Sequence, residues 1–448
     1  MKKSRLPRPG IARRRFLAQS SATLVAGSLF PSPMLAQDDA RKPAVLGGTK
    51  SVRVTSRPGK RWGDPERQRL DRLIDQDTLF YWKGPQTTQF IERFRQVCPL
   101  KHVMTCSSGS AALHIAVASA GIAPGDEVIT APITDIGTVI GVIYQLGVPV
   151  FADLGRSTYN LDPASVERLV TPRTKAIIAV HLCGNPCDLT ALRDIADRHQ
   201  LILIEDCAQA WGSRYQGQPI GTAGHLACFS LQNSKLITCG DGGVVASSDE
   251  RFGPALQKFG DKGMDRLKGG LLESLAPNYR MTEAQAAIAT AQLDRLESIA
   301  ERRSHLGNLL TGQIQDIPGI LPHQVRSGDR CNYWFYFFRI DPTKFRCTRD
   351  EFARALAAEG ANTSAGYIPV PLHRNPVFLK HGFFAGRWPV RELGLTSMDY
   401  TQVHTPEAEA ILSTGIRIGV HEYMSDQEIR ETGEAIRKLA GHYRRSGG

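Results

Sequence analysis

Between residues 100 and 250 the chain alternates between two periodicities. Short runs rich in β-branched and other apolar residues, at 102–106, 127–131, 148–153, 176–182, 201–206, 227–231 and 243–247, are separated by stretches in which apolar positions return every three or four residues. The first pattern is that of buried strands and the second that of helices. Their alternation predicts an α/β unit: a mainly parallel, seven-stranded sheet with helices on both faces. The clearest helices are 110–120 and 189–198, and Gly121 and Gly125 close the unit built on the first, since glycine accepts the left-handed backbone of a helix end. Residues 283–304 read as one long helix with Ala and Leu at helical spacing, linking this unit to another. Beyond about residue 311 the pattern becomes a strand at 333–340, a helix at 349–359, a Pro-rich loop at 369–376 and a terminal helix at 426–442, a smaller α+β unit.

Composition fits that division. A chain of 448 residues with 42% hydrophobic and 22% charged content can bury a large core. The expected domains are 37–310, a large domain with its N-terminal segment, and 311–448, a small C-terminal one. The net charge of +11 invites a nucleic-acid reading, but seven of the basic groups lie in residues 1–17 with no acid among them. The remainder carries a small excess of scattered Lys and Arg, without a nucleic-acid-binding motif. Residues 1–36 look like a twin-arginine export signal: Arg13, Arg14 and Arg15 precede a soft apolar stretch from Leu17 to Phe30, and Ala36 offers a cleavage position. That stretch is shorter than the roughly 20 residues a spanning helix needs, and no other segment is long enough, so no membrane insertion of the mature chain is expected. The protein is expected outside the cytoplasm, exported folded, or inside it if the signal is inefficient.

Nine cysteines is an odd number without the spacing of a disulfide framework. Cys106, Cys207 and Cys228 lie in apolar runs and read as small buried hydrophobes. Cys183 and Cys187 follow His181 closely, but no second pair stands at zinc-site spacing, so no metal is expected.

The residues that suggest chemistry stand at strand ends, where ligands bind in open α/β sheets. Asp206 ends an apolar strand; Lys235 follows in a turn that runs on to Gly240-Asp241-Gly242-Gly243. A lysine amine and a buried carboxylate are what pyridoxal phosphate (PLP) needs: one for its Schiff base, the other to keep the pyridine nitrogen protonated as an electron sink. Taken singly, a strand-end Asp is an ordinary helix cap and a lone Lys is ordinary surface. Ser107-Ser108-Gly109-Ser110-Ala111-Ala112-Leu113 opens a helix after a strand, which makes it either a plain N-cap or a phosphate cradle.

Five segments in this order resemble the DegT/DnrJ/StrS family of PLP-dependent sugar aminotransferases, of the aspartate aminotransferase fold (fold type I). They are Ser-Gly-Ser-Ala-Ala-Leu at 108–113, Pro-Gly-Asp-Glu-Val-Ile at 124–129, Glu-Asp-Cys-Ala-Gln-Ala at 205–210, the Lys235 segment through Gly243, and Asn-Tyr-Arg-Met at 278–281. The resemblance implies that Lys235 forms the aldimine and shuttles protons, that Asp206 pairs with the ring nitrogen, and that Gln209 lies near the ring's phenolic oxygen. Gly109, Ser110, the amide of Ala111 and Ser230 would hold the phosphate, with Asn278 reaching it from a second subunit of a homodimer with shared active sites. Asp135 falls where the family usually places a ring against the cofactor; it either contacts cofactor or substrate, or caps a helix. Tyr367, His373 and Arg374 resemble a substrate-side loop. Trp82 reads as an entrance, core or interface residue. The implied reaction moves an amino group from a glutamate- or glutamine-like donor to a keto sugar or cyclitol. A PLP-dependent elimination, or a PLP-binding sensor or scaffold without turnover, would use the same cofactor site.

Overall fold

Seven strands pair into one sheet: β1 (His102–Cys106), β2 (Glu127–Thr130), β3 (Val148–Phe151), β4 (Thr174–Val180), β5 (Ile202–Asp206), β6 (Leu226–Ser230) and β7 (Gly243–Ser247), in the order β1-β7-β6-β5-β4-β2-β3. The computed structural model that shows this describes residues 41–445, so the export signal expected at 1–36 lies outside the described residues. Neighbours from β3 through β6 run parallel, while β7 is antiparallel to both β1 and β6. The reason is chain length. Ser230 pairs with Gly243, and the residues between them form no helix, whereas a parallel return needs a longer crossover. That short return is the Lys235 loop, and it emerges at the edge where β1 and β5 also end.

The strands are buried on both faces by helices that include α1 (Gly109–Ser119), α2 (Gly137–Tyr144) and α3 (Leu189–His199). The single helix expected over 283–304 is two, α4 (Glu283–Leu293) and α5 (Leu296–Ile314), parted at Asp294 and Arg295. Neither Gly nor Pro marks the break, so periodicity alone does not reveal it. Its physical sense is in the side chains: Gln292 Nε2 and Arg295 Nη2 both donate to the carbonyl of Arg61, and Arg295 pairs with Glu66.

A second, four-stranded sheet is built from β8 (Ile320–Pro322), β9 (Tyr336–Ile340), β10 (Thr363–Ala365) and β11 (Gly415–Ile418), in the order β8-β9-β11-β10. Its core takes Leu306, Leu310 and Ile314 from α5 and Ile429, Ile436 and Leu439 from the terminal helix α6 (Asp426–Tyr443). β9 begins later than the pattern at 333 suggests, because Tyr333 has a left-handed backbone (φ 45°) that an extended strand excludes. A third cluster joins Val139, Ile143, Val148 and Phe151 to Leu372, Phe378, Trp388, Val390 and Tyr400. Residues 372–400 thus pack on the edge of the large sheet. All nine cysteines are buried and free. No helix among the described residues is long and apolar enough to cross a membrane.

Candidate active site

At the carboxyl edge of the large sheet a cavity of about 340 Å³ is lined by Ser108, Gly109, Ser110, Asp135, Thr138, Asp206, Ser230, Lys235, Trp334 and Tyr367, among others. Ser108 caps α1 by accepting from the amide of Ala111 (3.1 Å). The amide of Ala111, expected on a phosphate, is therefore engaged within the helix turn, and the first-turn amides of Gly109 and Ser110 are those without an intrahelical acceptor. Close approach explains the glycines around them. A Cβ at Gly109 would lie 2.6 Å from Ser230 Cβ, and one at Gly137 would lie 2.5 Å from Ser110 Oγ. Two helix starts and a strand end thus converge in a cradle too tight for side chains, at the positive end of a helix dipole.

Asp206 is the buried end of β5. Its Oδ1 accepts from the amide of Ala208 (3.1 Å) and its Oδ2 from Thr138 Oγ1 (2.9 Å), which is itself bonded to Thr134 Oγ1 (2.7 Å). Burial raises the Asp206 pKa; the Ala208 amide, Thr138, Lys235 and His181 oppose the rise. A cationic ring beside the carboxylate would supply the charge that burial withholds. Lys235 is the counterpart: burial lowers its pKa, while Asp206 and Asp135 favour the ammonium. Its backbone is clamped, since the Arg61 guanidinium donates to the carbonyls of Asn233, Lys235 and Leu236.

Asp135 caps a helix and also faces the cavity. Its Oδ1 accepts from the amide of Gly137 (2.8 Å) at the start of α2, and it lines the cavity. Tyr367 lines the cavity too, its ring 4.9 Å from Phe335. Gln209 is buried and not among the residues that line the cavity; its Oε1 accepts from the amide of Cys183 (2.9 Å). The structure does not bring His373 or Arg374 to this cavity. His373 is fully buried against Phe151, and Arg374 pairs with Glu409 at 2.9 Å. Their loop is drawn away because it belongs to the third core cluster. Asn278 is exposed and absent from the lining of its own chain's cavity. Trp82 packs half-buried against the main core.

His181, Glu205 and Cys207 lie close enough to hold a metal, but their atoms are committed. Glu205 accepts from the amides of Gly221, Ala223 and Gly224 and from His181 Nε2, and His181 Nδ1 accepts from the amide of Cys187. The cluster pins the 221–224 turn to β5. Three further residues serve the site without a signal in the sequence: Thr138 supports Asp206, Arg61 the lysine loop, and Trp334 stands beside the amine.

A lysine, a buried carboxylate and a helix-start anion cradle on one edge of a mostly parallel sheet define a fold type I aminotransferase, and the comparisons agree. The chain belongs to the DegT/DnrJ/EryC1/StrS aminotransferase family, whose model matches residues 62–437. It is 31% identical over 388 residues, covering 84% of this chain and 95% of the relative, to the spore coat polysaccharide biosynthesis protein SpsC of Bacillus subtilis. It is 34% identical over 385 residues, 83% and 90% of the two chains, to the putative L-glutamine:3-amino-2,3-dideoxy-scyllo-inosose aminotransferase of Micromonospora echinospora. The aminotransferase of Psychrobacter cryohalolentis superposes with a TM-score of 0.76 at 26% identity, covering 87% of this chain and 100% of that one. The chain is a transaminase of a family of PLP enzymes.

Proposed function

We propose that the chain holds PLP on Lys235 and moves an amino group from glutamate or glutamine to the ketone of a sugar or cyclitol. The observation that carries this is the joint placement of Lys235, Asp206 and the first turn of α1 on one cavity. When bound, the cofactor supplies the electron sink for the carbanion. Asp206, fixed by Ala208 and Thr138, holds the ring nitrogen's proton; Gly109, Ser110 and Ser230 hold the phosphate. The Lys235 amine carries a proton on Nζ between reacting atoms, and its lowered pKa leaves it a usable base nearer neutrality. The named activity of the Micromonospora relative supports a glutamine donor and a cyclitol acceptor.

Asp135 sets the tone of the acceptor side. Asp135, Asp206 and Asp241 line the cavity and, among the described residues, no arginine does, so a neutral or cationic polyhydroxy acceptor suits it better than one carrying a phosphate close by. We read the active unit as a homodimer in which Asn278 serves the partner's cavity: Asn278 is exposed at the end of a segment whose Leu267 and Leu275 are 84% and 93% exposed. We also read residues 1–36 as an export signal for the folded chain, on the strength of Arg13 and Arg14 ahead of the apolar stretch. Arg13→Lys with Arg14→Lys should then keep the protein in the cytoplasm, as read by fractionation; an unaltered protein found wholly in the cytoplasm with residues 1–36 attached would refute it.

The deciding experiment for the reaction is a donor-by-acceptor panel followed by the cofactor's absorption. A donor that bleaches the band, with recovery on adding a keto acceptor, supports transfer. A band that no donor changes indicates a binder, and release of ammonia or water without recovery indicates elimination. Lys235→Ala should fold and lose the borohydride-reducible adduct; an adduct mapping to another lysine would end the assignment.

A further inference from the structure

Trp334 sits directly ahead of β9, in the second sheet's connection, yet its ring faces the lysine of the first. Lys235 Nζ is 4.1 Å from the centroid of the Trp334 ring, and Trp334 Nε1 donates to the carbonyl of Ser234 (2.8 Å). The indole therefore grips the lysine loop twice, through its face on the amine and its edge on the preceding carbonyl. It is itself held. Its amide donates to Asn332 Oδ1 (2.8 Å) and to the carbonyl of Cys183 (2.9 Å), and its carbonyl accepts from Arg303 Nη2 (2.7 Å). Phe335 and Tyr367 pack on its ring at 5.3 and 6.1 Å. The left-handed backbone of Tyr333 turns the chain just before it. An aromatic face attracts an ammonium through its quadrupole, more so where water is thin, and here that face is fixed before the amine arrives.

We propose that Trp334 is a positioning residue whose indole face seats Lys235 while its amine, not bonded to the cofactor, carries a proton as an ammonium. This rests on Lys235 being the cofactor lysine. In amino transfer the lysine must let go, take up the proton it moves, stay within reach while it carries it, and return. Asp206 and Asp135 supply charge for that stay but, as carboxylates with other duties, no fixed seat. The indole supplies one that competes with neither, and because its edge is bonded to the lysine's own loop, ring and amine keep their spacing if the two sheets shift.

The test uses the full chain, free of cofactor and labelled at lysine Cε, with the Lys235 signal identified by its loss in Lys235→Arg. Ring current should place the Lys235 Hε protons upfield of the other lysines. Trp334→Leu should return them to the common position, while Trp334→Phe, which keeps a ring, should retain part of the displacement. The pH midpoint for forming the borohydride-reducible adduct with added PLP should fall in Trp334→Leu, which loses the face that favours the ammonium, and recover in part in Trp334→Phe. An undisplaced Lys235 signal in the unaltered chain overturns the proposal even if a variant misfolds, and so does an unchanged midpoint in a folded Trp334→Leu. If instead the adduct forms on another lysine, the assignment of Lys235 fails while the ring-current result still reports the contact.

Discussion

A lysine drawn into the protein loses part of its charge's solvation, and in Lys235 that cost is visible as a lowered pKa. The folded, cofactor-free chain thus binds fewer protons than the unfolded chain at pH values just below the ordinary lysine value of about 10.5. Its stability should rise as pH climbs through that window. Lys235→Met removes the cost, so the variant should melt higher than the parent near neutrality, with the gap closing toward high pH; a gap independent of pH would attribute the gain to packing. Thr138→Val tests the other side of the site. It leaves Asp206 Oδ2 without its side-chain donor, and losing one partner of a buried carboxylate costs about 1–3 kcal/mol. The expected readout is weaker cofactor retention on dialysis, with the fold intact by circular dichroism. At this scale Lys235, Asp206, Gly109 and Ser110 were legible in the sequence because each ends a strand or stands in the turn or helix start that follows one, among glycines or small residues. Trp334 and Arg61 were not, because a tryptophan ahead of a strand and an arginine in a loop look the same whether or not they meet a distant lysine.

Helix ends carry the next level of organisation. The helix Pro85–Val97 has no cap of its own, since Gly84 precedes it, and its first amides are satisfied from elsewhere. Glu283, at the start of α4 and buried, accepts from the amides of Gln86 and Thr87, each at 2.8 Å. Glu283→Ala should cost about 1–3 kcal/mol, as expected for buried donors left unpaired, and hydrogen exchange should quicken first at Gln86 and Thr87. Uniform quickening across the chain would mean that the carboxylate serves global packing instead. Such a cap is borrowed across nearly two hundred residues of sequence, which local patterns cannot reveal. The strands were legible for the opposite reason: a run of β-branched residues between helical stretches carries its own signal, and β1 and β7 keep the bounds that the pattern predicts. The parting of α4 from α5 was not, because its cause is the distant carbonyl of Arg61.

For the whole molecule, Leu267, Leu271, Leu272 and Leu275 lie close in sequence and stand exposed, uncovered by the described residues, and exposed apolar groups of this kind suit an interface. If two copies meet there, Leu271→Glu with Leu275→Glu should yield monomers by light scattering. Mixing the inactive Lys235→Ala and Asn278→Ala chains should restore activity by forming one intact site per hybrid; proven exchange without recovery would refute the shared site. The change of pattern near residue 311 falls inside α5, which already gives Leu306 and Leu310 to the second core, and the return of residues 372–400 to the large sheet was not readable, because an apolar run does not say which of two cores it will join. One feature of the interior bears on the whole fold at once. The nine thiols are spread from Cys98 to Cys347 and all are covered; burial pushes Cys98, Cys106 and Cys239 away from the reactive thiolate. A chain threaded unfolded into an oxidising compartment would meet it with every sulfur bare, and one carried across folded would meet it with none. In the native protein a thiol-counting dye therefore becomes a clock for opening, each sulfur that reacts recording one excursion of its surroundings out of the fold.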